Sequence, residues 1–583
     1  MKKLIYIIVI AGMLPFLSGC ENFLDTQSYT QKTTENFPKT DEDVTQMLTG
    51  VYSILNEMTA DPLSTNFGIN ELCADYRFGG GGMDNIDMQS IHHLLYSNPN
   101  QFEGLWTERY KGIARANDVI NAMGTVKGLS NTKQKMGEAK FLRAFFYLDL
   151  VQILGNVPLL TSTPDNVQEA QVSPPQAKQE DIYAQIGGDL WDAYSTMPNT
   201  KWNAVPSGTV TKWAAAGLLA RVFLFYTGFY DQKTLPIVSA EDSKKKEVTK
   251  DDVIAALEDC MNKSGHKLVS DFRSLWPYTN TFTKPDYPYA KGAQDWVQDA
   301  TNPEQVFVVK YSKAGNWTDS GDNGFGNDYC CYCGIRTGGS GNQDYTKVFP
   351  ISQGYGMGPV NTNFWNQWAK DEPTDLRRQA SIWNQADEST GYAWGGDSQM
   401  EETGFWQKKI TGITCYNGED LLWTFTSLLY GPVSGDDWQL GSATDMCLIR
   451  YADILLMHDE LTGTNDGMTQ LRARAGLGEV PYTLANLQKE RLHELAFEGL
   501  RWNDLRRWHL AEQPGYLDNM YGVTIRNNAI VTTMHQQGPD NIVDRYKATK
   551  GFFAIPLTEI TLANGVLKQN DGWNSAYLFN AWK

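Results

Sequence analysis

The sequence predicts a mainly α protein, a degenerate helical-repeat scaffold interrupted by a large loop-rich region with short strands. Six stretches between residues 40 and 262 set apolar residues at three- and four-residue spacings, the signature of amphipathic helices. Small residues stand beside large ones in them, as at Ala139, Ala144 and Phe145 or Ala214, Ala215 and Leu219, which is what stacked helix pairs need, although no strict repeat period is present. From residue 263 to 444 the pattern changes. Glycine clusters (Gly338, Gly339, Gly341, Gly354, Gly356, Gly358), prolines and aromatics without helical period mark long loops and short strands there.

Taken in order, residues 1–19 read as a targeting segment. Lys2 and Lys3 form a positive start, and Leu4 to Phe16 is an apolar run too short for an ordinary membrane-spanning helix. Leu17-Ser18-Gly19-Cys20 resembles a bacterial lipobox, so Cys20 is expected to carry a lipid anchor. Residues 20–39 are polar and read as a tether, and residues 40–583 as one domain. Helices are expected at 41–58 (N-capped by Thr40 or Asp41), 105–123, 130–154, 179–197, 210–226 and 251–262. The scaffold thus covers 40–262 and 445–583, and the loop-rich region 263–444 is joined by a loop at 61–104. The quartet Gly79 to Gly82 lacks the spacing of a phosphate-binding loop. A net charge of -18, with no basic run after Lys3, argues against nucleic acid as a partner.

The stretch 484–508 (LANLQKERLHELAFEGLRWNDLRRW) reads as an amphipathic helix laced with charge. Leu484, Leu487, Leu492, Leu495, Ala496 and Leu500 form its apolar stripe, flanked by Glu490, Arg491, Glu494, Glu498 and Arg501. His493-Glu494 is half of a zinc-protease motif, but Phe497 stands where the second histidine belongs, so no metal site is expected. A carboxylate pair for acid–base work would have to face a cleft; the neighbouring arginines instead point to an ion-pair frame that holds Trp502 and Trp508 against the scaffold.

Three places carry a family resemblance. They are 137–144 (GEAKFLRA) with Gly155-Asn156-Val157-Pro158-Leu159 downstream, 450–457 (RYADILLM), and 490–508. Together with 106–120 (WTERYKGIARANDVI), 471–477 (LRARAGL), 553–559 (FAIPLTE), Gln569-Asn570-Asp571-Gly572 and the lipobox, they resemble the SusD/RagB family of Bacteroidetes outer-membrane nutrient-binding lipoproteins, in order from Cys20 to the end. One departure is His458-Asp459-Glu460, followed early by Gly463, which puts the local helix ends in question. The resemblance implies tetratricopeptide-like helix pairs supporting a loop-rich binding region. It also implies a surface-exposed, lipid-anchored outer-membrane protein that is not an enzyme, binds a glycan and serves a TonB-dependent, SusC-like transporter.

The residues agree in offering no catalytic constellation: seven histidines are scattered, and no nucleophile elbow or zinc spacing exists. No cofactor is expected. Sugar rings offer apolar faces to aromatic rings and hydroxyls to polar groups, so a site should combine both in loops. One candidate surface is Asp61, Asn66, Asp75, Arg77, Phe78, Asp84 and Asp87, with Trp106 nearby in sequence; the other is Trp276, Trp317 and the segment with Tyr329, Cys330, Cys331 and Tyr332. Cys330, Cys331 and Cys333 lack a second metal-binding pair, and in an exported chain a disulfide is expected, between Cys330 and Cys331 or from one of them to Cys73, Cys260, Cys415 or Cys447. Asp84 and Asp87 offer oxygen ligands for calcium without any EF-hand spacing. Three functions follow: a glycan-binding surface lipoprotein, a peptide-binding relative on the same scaffold, or a glycoside hydrolase using two carboxylates.

Overall fold

The computed structural model describes residues 37–59, 65–83, 85–163, 174–312, 326–336, 345–389, 392, 399–431, 437–527 and 530–580. The readings for Cys20, the signal segment, Asp61, Asp84 and Trp317 lie outside the described residues.

The first half is an array of long helices, α1 (Asp41–Thr59), α2 (Glu103–Thr125), α3 (Thr132–Leu154), α4 (Gln179–Thr196), α5 (Lys212–Phe229) and α6 (Lys250–Lys263). Each packs on the next in chain order, and α6 passes the array to α7 (Tyr451–Thr462), so the two halves of the chain form one scaffold. Asp43 caps the start of α1, accepting from the backbone N–H groups of Lys39 and Thr40 at 3.0 Å, while Thr40 Oγ1 accepts from the Asp43 N–H at 3.2 Å. At α6 Thr249 and Asp252 form a reciprocal capping box. The interior helices α3 and α5 are buried on nearly every face because they have helical neighbours on both sides. Such contact demands small residues: a Cβ at Gly137 would lie 2.3 Å from Met197 Cγ. The charges that remain inside are paired between helices, Arg109 with Asp149 at 2.7 Å, Arg143 with Asp189 at 2.7 Å and Lys140 with Asp192 at 2.8 Å.

The loop-rich region holds short two-stranded antiparallel ribbons. One joins β1 (Gln305–Val309) to β2 (Met446–Arg450) and so ties the two ends of the region together. It also contains helices at Thr362–Asp371 and Leu376–Ser381, and the expected loop at 61–104 contains two more, Asn66–Leu72 and Ile86–His92. The seven-residue helix Asn66–Leu72 is buried from Phe67 to Leu72, and at two turns it is too short to display an amphipathic period.

The expected single helix at 484–508 is two helices, a correction. α8 (Asp466–Arg474) precedes α9 (Leu484–Leu495), the chain turns, and α10 (Arg501–Arg507) follows. The turn is made by Phe497 and Gly499, both in the left-handed region at φ 67° and 72°. The cost is offset by burial of the Phe497 ring against Tyr76 at 4.9 Å and by a 2.8 Å hydrogen bond from the Gly499 N–H to Glu71 Oε1. The departure at His458-Asp459-Glu460 has a local role: α7 continues to Thr462, Gly463 closes it at φ 74°, and the Asp459 carboxylate accepts from the N–H groups of Gly467 (3.0 Å) and Met468 (2.7 Å) at the start of α8.

The disulfide expectation is also corrected. Cys73, Cys260, Cys330, Cys331, Cys333, Cys415 and Cys447 are all thiols. Cys330 and Cys331 sit on one helical turn (Tyr329–Tyr332), which sends successive side chains apart: Cys331 Sγ lies 3.3 Å from Trp438 O, while Cys330 Sγ lies 4.0 Å from Thr444 Oγ1. Burial pushes the Cys330 and Cys260 thiols up to about 12, so both are unreactive in the fold. Alkylation without reductant is expected to label all seven after denaturation and to leave them largely unlabelled in the native protein; a fall in labelling reversed by reductant would show a bond.

Candidate functional site

The charged groups read from 484–508 meet in the interior. Arg450, at the end of β2, places Nη1 2.7 Å from Glu494 and 2.9 Å from Glu304, and Nη2 2.9 Å from Glu498. Lys409 donates to Glu498 at 2.8 Å, and Arg377 reaches Glu494 at 3.1 Å and Glu490 at 2.5 Å. Burial alone would raise the Glu498 carboxyl, but the charges of Arg450 and Lys409 outweigh it and hold it below the ordinary range. Every glutamate in this set is thus matched by a cation. These side chains are committed to one another as the ion-pair frame that the sequence suggested.

Most of the residues proposed as ligand contacts are likewise framework. Arg77 is 1% exposed and bridges Glu71 (2.8 Å) and the Tyr329 hydroxyl (2.9 Å). Phe78 lies beside His92, and Trp106 packs on Tyr110 at 4.9 Å. Trp276 lies under Lys409, whose ammonium is 4.8 Å from its ring. Asp75 takes two hydrogen bonds from Arg501, Asn66 donates to Gln152 at 2.7 Å, and Asp87 accepts from Ser97. Tyr329, Cys330 and Cys331 are buried too. As placed, Arg77, Phe78, Trp106, Trp276, Tyr329, Cys330 and Cys331 offer almost no surface to a sugar, because the segments carrying them, helix α2 for Trp106 and the interior loops and turns for the rest, are packed into the core rather than left at its edge.

The stitching explains the glycines. Segments 76–82, 331–336, 353–361 and 399–402 run side by side: the Gly81 N–H donates to Gly356 O at 2.7 Å, Tyr355 N–H to Cys331 O at 2.8 Å and Met400 N–H to Gly81 O at 2.7 Å. A Cβ on Gly354 would stand 2.3 Å from Cys331 O, so the backbones could not approach with any side chain there.

Among the described residues, two interior clusters have the composition of a metal site. Glu372, Asp375 and His493 are already matched by Arg472, Arg377 and the Trp368 indole. In the other, His92, His93 and Glu401, His92 Nδ1 accepts from the Gly79 N–H at 3.0 Å, so the ring proton sits on Nε2, which faces Glu401 at 3.8 Å and cannot ligate. Glu401 accepts from the Gly80 N–H at 2.7 Å, yet burial pushes its carboxyl up to about 8. It is therefore neutral at pH 7, and stability tied to it is complete below the unfolded-state value near pH 4 and lost as pH rises through about 8. Glu401→Gln mimics the neutral acid and is expected to raise the melting temperature increasingly from about pH 5 to pH 9. Equal shifts at both ends would remove Glu401 as the source.

Among the described residues of the loop-rich region, three half-buried rings form a chain, Tyr332, Tyr355 and Trp438. Their centroids are 5.3 Å apart at each step, with interplanar angles of 65° and 69°, so adjacent faces turn toward different sides. Gln439 donates to the Tyr355 hydroxyl, and the Cys331 thiol, by holding the Trp438 carbonyl, fixes the third ring to the first. Asp328 and Asp437 stand beside the cluster. Tyr332 belongs to the segment singled out in the sequence; Tyr355 and Trp438 were missed because each is a lone aromatic in an irregular loop, and only the Gly354 approach and the 437–442 turn bring them to it. Flat apolar faces with amide and carboxylate groups at their edges match the amphipathic character of a sugar ring.

A family model described as "Starch-binding associating with outer membrane" matches residues 22–224, and one described as "SusD family" matches residues 303–573. The chain belongs to the SusD/RagB family. "SusD-like protein P2" of Formosa agariphila is 23% identical over 538 residues, 88% of this chain and 92% of that one. Among solved structures, a "Laminarin binding SusD-like protein" superposes with a TM-score of 0.66 at 22% identity, covering 92% of this chain and all of its own. "Surface glycan-binding protein A from Bacteroides thetaiotaomicron in complex with laminarihexaose" gives 0.64 at 18% identity, over 91% and 100%. The mainly helical SusD-like fold expected from the sequence is thereby shown.

Proposed function

We propose that this SusD-family protein binds a glycan on the Tyr332–Tyr355–Trp438 platform at the cell surface and delivers it to a TonB-dependent, SusC-like transporter, held to the outer membrane by lipid on Cys20. The ring platform is the observation that carries this reading: it is a half-buried aromatic arrangement built from the region the sequence marked for binding. Structural relatives described as laminarin-binding and glycan-binding support it, as does membership of a family described as associating with the outer membrane. Among the described residues no helix is long and apolar enough to cross a membrane, which accords with a lipid anchor. Binding without turnover fits the pairing of the buried glutamates.

Affinity electrophoresis against a panel of polysaccharides and peptides tests the proposal. Retardation by at least one polysaccharide, with no release of reducing ends on incubation, is expected. Retardation by peptides alone, or reducing ends abolished by a single Asp or Glu change, would overturn it.

A further inference from the structure

A second cleft opens on the scaffold, built from segments that contribute nothing to the ring platform. It lies where the end of α5, the helix Ile542–Thr549 and the closing segment 568–571 meet, and it has a volume of about 760 Å³. That is in the range of cavities that hold small ligands or several sugar units, roughly 300–1,000 Å³. Its inner wall is aromatic. Phe229 and Phe552 meet edge to face at 5.7 Å, and Tyr230 stands 4.8 Å from Phe229. Behind them the fully buried guanidinium of Arg506 lies 4.7 Å from both phenyl rings, so positive charge backs the apolar wall.

The rim is basic. Lys547, Lys550 and Lys568 are exposed at the mouth, and among the described residues none of their ammonium groups is paired with a carboxylate. The buried lysines Lys140 and Lys409 are spent on neighbouring acids, whereas these three line one cleft with their charges unmatched. Two acids share the lining, Glu512, which faces His509 at 3.4 Å, and Asp571. The amides of Gln569 and Asn570 are engaged with backbone, Gln569 with Ile555 and Asn570 with Leu154 and Phe553, so they shape the cleft rather than wait for a ligand. An apolar wall offers a stacking face, and a cationic rim on an otherwise acidic molecule draws in anions and repels little else.

We infer that this cleft is a second saccharide-binding site, for a sugar chain bearing carboxylate or sulfate groups. It rests on the glycan-binding reading of the chain but not on the ring platform. A site of this kind would hold an acidic stretch of a long polysaccharide while the platform holds another stretch, and two such contacts on one chain raise avidity.

The test uses the full chain and its variants in affinity electrophoresis with three probes: a neutral β-glucan, a polyuronate and a sulfated galactan. Lys547→Glu with Lys568→Glu changes exposed side chains and is expected to leave the melting temperature unchanged. It should weaken binding of the charged probes by roughly tenfold, through two lost attractions and two new repulsions, and leave any neutral-glycan binding intact. Added salt should weaken the charged probes in the same way. Trp438→Ala should show the converse pattern. Which charged probe is retarded distinguishes carboxylate from sulfate. Failure of both charged probes to bind, or their loss in Trp438→Ala but not in the lysine variant, would overturn the cleft as a site. Failure of every saccharide would instead overturn the glycan-binding function itself.

Discussion

Glu498→Ala is expected to lower the stability of the protein by about 3–5 kcal/mol, the cost of breaking a buried ion pair by removing one partner. Glu498 accepts from both Arg450 and Lys409, and the three side chains are 7%, 4% and 0% exposed. Without it Lys409 keeps only the Glu494 carbonyl at 2.8 Å, and its ammonium, already driven down from its ordinary value by burial, has no carboxylate within hydrogen-bonding reach. Chemical denaturation measures the loss. Glycan affinity should not change, since none of these three side chains belongs to the ring platform; a fall in affinity with unchanged stability would make Glu498 a ligand contact. The same carboxyl makes the fold acid-sensitive. Its pKa is depressed in the folded state, so the stability it contributes is present above the unfolded value near pH 4 and lost as pH falls through the lower folded value.

The second large effect is expected at Trp438. Trp438→Ala should weaken binding of whichever polysaccharide the protein retains by about 2 kcal/mol, roughly thirtyfold, from the loss of half of a large ring's burial together with its stacking. The ring is half-buried and packs on Tyr355, so melting should move little. Isothermal calorimetry with the retained polysaccharide reads the change. Unaltered affinity in both Trp438→Ala and Tyr355→Ala would remove the platform as the binding surface.

The scaffold was legible where a helix has one wet face. α1, with buried Val44, Leu48, Val51 and Leu55 on one side, starts at the expected residue and ends one later, and α6, with buried Val253, Ala256, Leu257 and Cys260, is one residue longer at each end, because side-chain period and caps both report on solvent. Asn66–Leu72 was illegible for the opposite reason: it is buried from Phe67 to Leu72, and two turns are too short to display a period. The break between α9 and α10 was hidden because Phe497 continues a helical pattern in sequence, and its left-handed conformation depends on Tyr76, which is distant along the chain.

The candidate site divides in the same way. By itself the sequence determined the helical class, the resemblance to the SusD/RagB family, the ion-pair nature of the glutamates in 484–508 and the loop region in which binding was to be sought. These follow from local periodicity and from charge composition, which a linear chain displays openly. Tertiary structure alone decided which of the candidate aromatics reach the surface. Phe78, Trp106, Trp276 and Tyr329 became core, while Tyr332, Tyr355 and Trp438 came together at the surface. An aromatic ring is equally suited to a core and to a sugar, and the difference lies in whether another segment, such as the glycine-lined strip at 353–358, closes over it.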